Sequence, residues 1–164
     1  MSHPAALSTD DLLAQCEVRR TRASGPGGQH RNKVQTAVVV THRLTGVAGE
    51  ATERRSQAEN QTVAVFRLRV KLALAVRTEW CAPSPLWRQR RQGERIRVNT
   101  QHDDFPSVLA EALDALATFQ WNAAEAAAAL GVSTSQLTKL VKCEPAAFLL
   151  LNQRRAALGL HALQ

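Results

Sequence analysis

Arg22-Ala23-Ser24-Gly25-Pro26-Gly27-Gly28-Gln29-His30-Arg31-Asn32-Lys33 interrupts a stretch that otherwise reads as strand on both sides. Three Gly and one Pro between Ser24 and Gln29 exclude regular structure, so the chain must loop here. Ahead of the loop, Glu17 to Arg22 reads as a strand. Behind it, Asn32 offers a cap for a single turn, and Gln35 to Arg43 is rich in Val and Thr, whose branched Cβ suits a pleated sheet. Thr45-Gly46 supplies a turn, and Val47 to Thr52 returns as its hairpin partner. The expected core element is a small antiparallel sheet with a long Gly-rich loop between strands.

Outward from the sheet, the flanks read as helix. Ser8-Thr9-Asp10-Asp11 opens a short one, with Ser8 at the cap and Asp11 beside the free N–H groups and the positive end of the dipole. A long segment runs from about Arg55 to Glu79, and its stretch from Val63 to Val76 contains no turn residue. Around Phe66-Arg67-Leu68-Arg69-Val70-Lys71-Leu72 the alternation is strand-like, but the length of the segment and its Ala content decide for helix. One apolar side would lie on the sheet, with the stems of Arg67, Arg69 and Lys71 reaching outward.

Pro83 and Pro85 then break the pattern, and Trp87 to Arg97 is a basic run holding Arg88, Arg90, Arg91, Arg95 and Arg97. From Asp104 onward only helices are predicted. Asp104 and Pro106 open one, Asn122 a second, Ser133 with Gln136 a third through a capping box, and Pro145 a fourth that Gly159 ends. Gly131-Val132-Ser133 is a tight turn; Ala127, Gly131 and Leu137 fall at helix-turn-helix spacing, with Leu130, Val132 and Leu140 as core positions. The fold class is therefore α+β: a small antiparallel β-sheet with a packed long helix, followed by an all-helical C-terminal module. Residues 1–80 form the first unit, 81–102 a Pro-marked basic linker and 103–164 the helical module.

Charge narrows the partner. The 164-residue chain carries +7, but unevenly: residues 1–97 hold 17 Arg and Lys against 8 Asp and Glu, whereas residues 98–164 sum to −2. A basic front half implies a polyanion, for which nucleic acid is the usual partner. No apolar run is long enough to span a bilayer and no signal-peptide core is evident, so a membrane is not expected and the cytoplasm is. Cys16, Cys81 and Cys143 are odd in number, far apart and without a CxxC pair, which argues against a disulfide framework or a zinc site; no metal and no cofactor are expected.

The chemistry must come from the loop. It holds no evident nucleophile, but it supplies bare backbone. Gly lacks Cβ, so Gly27 and Gly28 let the chain approach a substrate closely, and N–H groups presented that way can stabilise an oxyanion. The Gln29 amide donates and accepts at once and can orient a water. That suffices for an activated ester and is too little for an amide.

The run from Arg22 to Lys33 resembles the catalytic loop of class I peptide chain release factors and of their short relatives, the ribosome-rescue peptidyl-tRNA hydrolases. The likeness extends through Thr36-Ala37-Val38, Thr41-His42-Arg43-Leu44-Thr45-Gly46, and Arg54-Arg55-Ser56-Gln57 with Asn60, covering roughly residues 15–78. It implies codon-independent hydrolysis of the peptidyl-tRNA ester on the ribosome, with rRNA of the peptidyl transferase centre and peptidyl-tRNA as partners. Gly27, Gly28 and Gln29 would be catalytic, and a Gln methyltransferase acting on Gln29 is a further implied partner. Arg22, His30, Arg31, Lys33, Arg54 and Arg55 would meet RNA; Arg31 stands where relatives often carry an apolar residue. With about fifteen residues ahead of the resembling part, a folded stop-codon reader is not expected. The basic tail of rescue hydrolases has no terminal counterpart here, and Arg88, Arg90, Arg91, Arg95 and Arg97 are expected to stand in for it.

Two other readings compete. A non-hydrolytic adaptor would use the same domain to dock on the ribosome or on RNA. A DNA-binding regulator would lay Thr134, Ser135, Gln136, Thr138, Lys139 and Lys142 near a major groove, although the acidic balance of this half is poor for phosphate attraction.

Overall fold

A computed structural model describes residues 2–21 and 36–164. A single 3-10 turn, Pro4–Ala6, leads into α1, Thr9–Ala14, where the Ser8 hydroxyl accepts from the Asp11 N–H as its sequence position requires. Three strands follow: β1 Cys16–Thr21, β2 Ala37–His42 and β3 Ala48–Ala51. They form an antiparallel sheet in chain order, and Gly46 turns the second hairpin at φ +71°.

The ambiguous basic–apolar segment is a helix, α2, Gln57–Ala75, capped by Ser56. It covers one face of the sheet with Ala64, Val65, Leu68 and Leu72, which are buried against Val38, Val40 and Ala51. The approach is close because β3 carries Gly49: a Cβ there would stand 2.1 Å from the Ala64 carbonyl oxygen and 2.5 Å from the Leu68 nitrogen. Helical periodicity also sorts the three cations. Arg67 and Lys71 do reach outward, donating to the Glu50 and Ala48 carbonyls at the sheet edge. Arg69 does not; it falls beside Val65, Leu68 and Leu72 on the buried side and donates to the Leu7 carbonyl at 2.5 Å. The N-terminal segment packs over this part of α2, so the guanidinium ties that segment down.

After α2, Ser84 caps a short α3, Pro85–Arg90, and a two-residue hairpin follows, β4 Arg91–Gln92 with β5 Arg95–Ile96, turned by Gly93. The basic run is therefore folded: Trp87 is fully buried and Ile96 joins the core. Four helices complete the chain: α4 Phe105–Thr118, α5 Ala123–Leu130, α6 Thr134–Lys142 and α7 Pro145–Ala157. Asn122 and Ser133 cap α5 and α6 by side-chain acceptance, and Gly131 closes α5 at φ +70°. Asp104 differs from expectation. It precedes α4, but its carboxylate accepts from Arg90 Nε at 2.8 Å instead of from the helix N–H groups.

The helices share the core of the sheet unit. Helix α4 lies along α2, with Val108, Leu109, Ala112, Leu113 and Leu116 fully buried. Where α2 ends, the largely buried Arg77 pairs with Asp114 of α4 at 3.1 Å, and Thr78 N–H donates to the same carboxylate. His3 closes this corner, with its Nε2 against the Val76 carbonyl and burial holding its pKa below the usual range. Leu130, Val132, Leu137 and Leu140 are buried at the positions that the helix-turn-helix spacing predicts.

Candidate functional site

The sheet fixes where the Gly-rich segment leaves and re-enters the fold. In the β1–β2 register Cys16 faces His42 and the final pair is Thr21 with Ala37. The segment from residue 22 onward thus begins beside its own end, at one end of the sheet. Arg22, Gly27, Gly28, Gln29, His30, Arg31 and Lys33 themselves lie outside the described residues, as does the single turn expected at Asn32.

What stands at the base of that segment is described. Asn60 of α2 is fully buried and uses its amide for three bonds. Its Nδ2 donates to the Thr36 carbonyl at 2.6 Å and to the Arg54 carbonyl at 3.0 Å, and its Oδ1 accepts from Arg54 N–H at 3.0 Å. One side chain therefore joins the end of the Gly-rich segment, the turn before α2 and the helix itself. Sequence reading saw Asn60 only as part of a resemblance, because a buried amide has no local signature. Replacing it by Ala strands two carbonyls and an N–H. Asn60→Ala is expected to lower stability by about 2 kcal/mol, within the range for orphaned buried polar groups. Urea unfolding measures this, and a loss under about 0.5 kcal/mol would show that water satisfies the stranded groups.

Arg54 and Arg55 lie exposed in the turn that Asn60 holds, and their guanidinium groups have no hydrogen-bond or ion-pair partner among the described residues. The neighbouring Glu53 does not neutralise them. Hydrogen bonds from the Thr52 N–H, from its own N–H and from Arg67 hold its carboxyl down to about 2, so its charge is engaged elsewhere. Two uncompensated guanidinium groups beside the loop base present fork-shaped donors suited to phosphate.

The RF-1 domain family matches residues 12–104, more than half of the 164. The chain belongs to the RF-1 domain family. Over 56 residues it is 55% identical to the protein named Peptide chain release factor PrfB1, chloroplastic, of Arabidopsis thaliana. That alignment covers 34% of this chain and 12% of the relative, so the shared part is a small fraction of the plant protein.

The RF-1 match runs through the basic run and ends at Asp104, the residue that pairs with Arg90. Within it the five arginines have different surroundings. Arg88, Arg95 and Arg97 are exposed. Arg90 is half-buried against Asp104, with His102 beside it. Arg91 donates to the Gly131 carbonyl at 3.0 Å. His42, the histidine expected on a strand, is buried on β2 between Thr45 and Gln15. Among the described residues no group of His, Cys, Asp and Glu could hold a metal ion, and no helix is long and apolar enough to cross a membrane.

Proposed function

We propose that this RF-1 domain protein hydrolyses the ester of peptidyl-tRNA on the ribosome and does so without reading a stop codon. The observation that carries the reading is the Gly27-Gly28-Gln29 triplet, set in a segment whose two ends are paired strand partners, Thr21 and Ala37. The sheet holds both ends of this segment. Glycine backbone can reach a reacting carbonyl and stabilise the developing oxyanion. The Gln29 amide can orient the attacking water. Arg54 and Arg55 at the base meet the phosphates that surround such a substrate. The similarity to a protein named as a peptide chain release factor points to the same chemistry.

The deciding experiment is release of labelled peptide from two substrates: ribosomes stalled on truncated mRNA, and ribosomes with a stop codon in the decoding site. Release from the first at a rate at least equal to the second is expected. Release that requires the stop codon would overturn codon independence. Binding to both without release would favour the adaptor reading.

A further inference from the structure

The basic hairpin and the helix-turn-helix unit, separate in sequence, build one surface. Trp87 Nε1 donates to the Leu130 carbonyl at 2.9 Å and Arg91 donates to the Gly131 carbonyl. Ser133 N–H donates to the Glu94 carbonyl at 3.0 Å. These three bonds fasten α3 and the β4–β5 hairpin to the turn between α5 and α6. The Arg91 guanidinium lies directly over Gly131, where a Cβ would meet its nitrogen at 2.3 Å.

Between the hairpin and α6 runs a groove of about 570 Å³. Arg95 and Arg97 line it from one side and Lys139 and Gln136 from the other, over an apolar floor that includes Ile96 and Leu140. No carboxylate is among the lining residues. Among the described residues the acid that pairs with a lining cation is Asp104, on Arg90. The side chains of Arg95, Arg97 and Lys139 are exposed and have no hydrogen-bond or ion-pair partner among the described residues. Three uncompensated cations facing one channel make a positive cleft, although residues 98–164 by themselves sum to −2.

We propose that this groove holds the phosphate backbone of a stretch of RNA, with Arg95, Arg97 and Lys139 on successive phosphates. It deepens the ribosomal reading above and rests on it only for the source of the RNA. Duplex DNA fits less well. A DNA-reading helix inserts its N-terminal residues into a major groove, and here the hairpin is bonded to that end of α6 through Ser133 and Gly131. The arrangement also explains how an acidic-balanced helical module serves a polyanion: it contributes a wall and one lysine, and the preceding segment contributes the arginines.

The test is the anisotropy of a short fluorescein-labelled RNA hairpin titrated with the full chain across a series of salt concentrations. Arg95→Gln/Arg97→Gln/Lys139→Gln is expected to weaken binding about tenfold or more and to flatten the log–log salt slope by roughly 2 to 3, from three contacts at about 0.7–0.9 each. The control Arg43→Gln/Lys71→Gln/Arg154→Gln removes the same charge at exposed residues that do not line the groove and should retain most of both. Because the measurement reads binding alone, a protein that fails to release peptide can still bear the proposal out. Unchanged affinity and slope in the groove variant, given an unchanged melting temperature, would overturn it. So would an equal loss in the control, or tighter binding to a DNA duplex of the same sequence.

Discussion

Gly28→Ala is expected to lower the rate of peptide release by two to three orders of magnitude while leaving the unfolding midpoint where it was. The rate effect follows from the chemistry left to this segment. Under the proposed function, with no nucleophile or metal ligand in the Gly27-Gly28-Gln29 triplet, stabilisation of the oxyanion by backbone N–H groups would carry the reaction, and disturbing one such donor would cost on the order of 10²- to 10³-fold. A Cβ at residue 28 restricts the φ values available to the backbone and limits how closely it can approach a carbonyl. The absence of a stability effect follows from where the fold keeps its core. Val38, Val40, Leu68 and Leu72 are fully buried between the sheet and α2, and the base of the segment is secured by Asn60. Labelled-peptide release from stalled ribosomes, run beside thermal unfolding, measures both quantities. A Gly27→Ala/Gly28→Ala protein that releases peptide at the parent rate would sink the catalytic assignment.

Gly49→Ala is expected to do the opposite, destabilising the fold by about 3 kcal/mol, at the upper end of typical overpacking costs. The added methyl meets the Ala64 oxygen at 2.1 Å, the Leu68 nitrogen at 2.5 Å and the Leu68 Cα at 2.9 Å. All three are backbone atoms of α2, so no rotamer change can make room; either the helix lifts from β3 or the strand bends. Lifting would open the layer that Ala64 and Leu68 fill and would disturb Asn60 one turn away. Peptide release should fall in proportion to the unfolded fraction, with the rate per folded molecule much less changed than in Gly28→Ala. Denaturant unfolding checks this, and a loss under about 0.5 kcal/mol, the range of ordinary surface substitutions, would mean that the helix stands farther from the sheet. The two glycines thus separate a substitution that acts on chemistry from one that acts on packing.

Sequence alone determined the features decided within a few residues of chain. The Val- and Thr-rich run that follows the Gly25 to Gly28 cluster pairs as β2. Ser8, Asn122 and Ser133 cap their helices because a short side-chain oxygen meets an N–H two or three residues on. Helix over strand for residues 57–75 was legible from the length and Ala content of the segment, and the helix-turn-helix spacing around Gly131 marked Leu130, Val132, Leu137 and Leu140 as buried. Tertiary structure decided what depends on which faces meet. Arg69 turns inward, against its basic neighbours, because the N-terminal segment covers that side of α2 and offers the Leu7 carbonyl. Asp104 leaves its helix cap to pair with Arg90, since a charged partner on an adjacent element outcompetes a neutral N–H. The convergence of Arg95 and Arg97 with Lys139 has no trace in local spacing. It exists because Trp87 is driven into the core beside Leu130, and burying that indole brings the basic hairpin against α6.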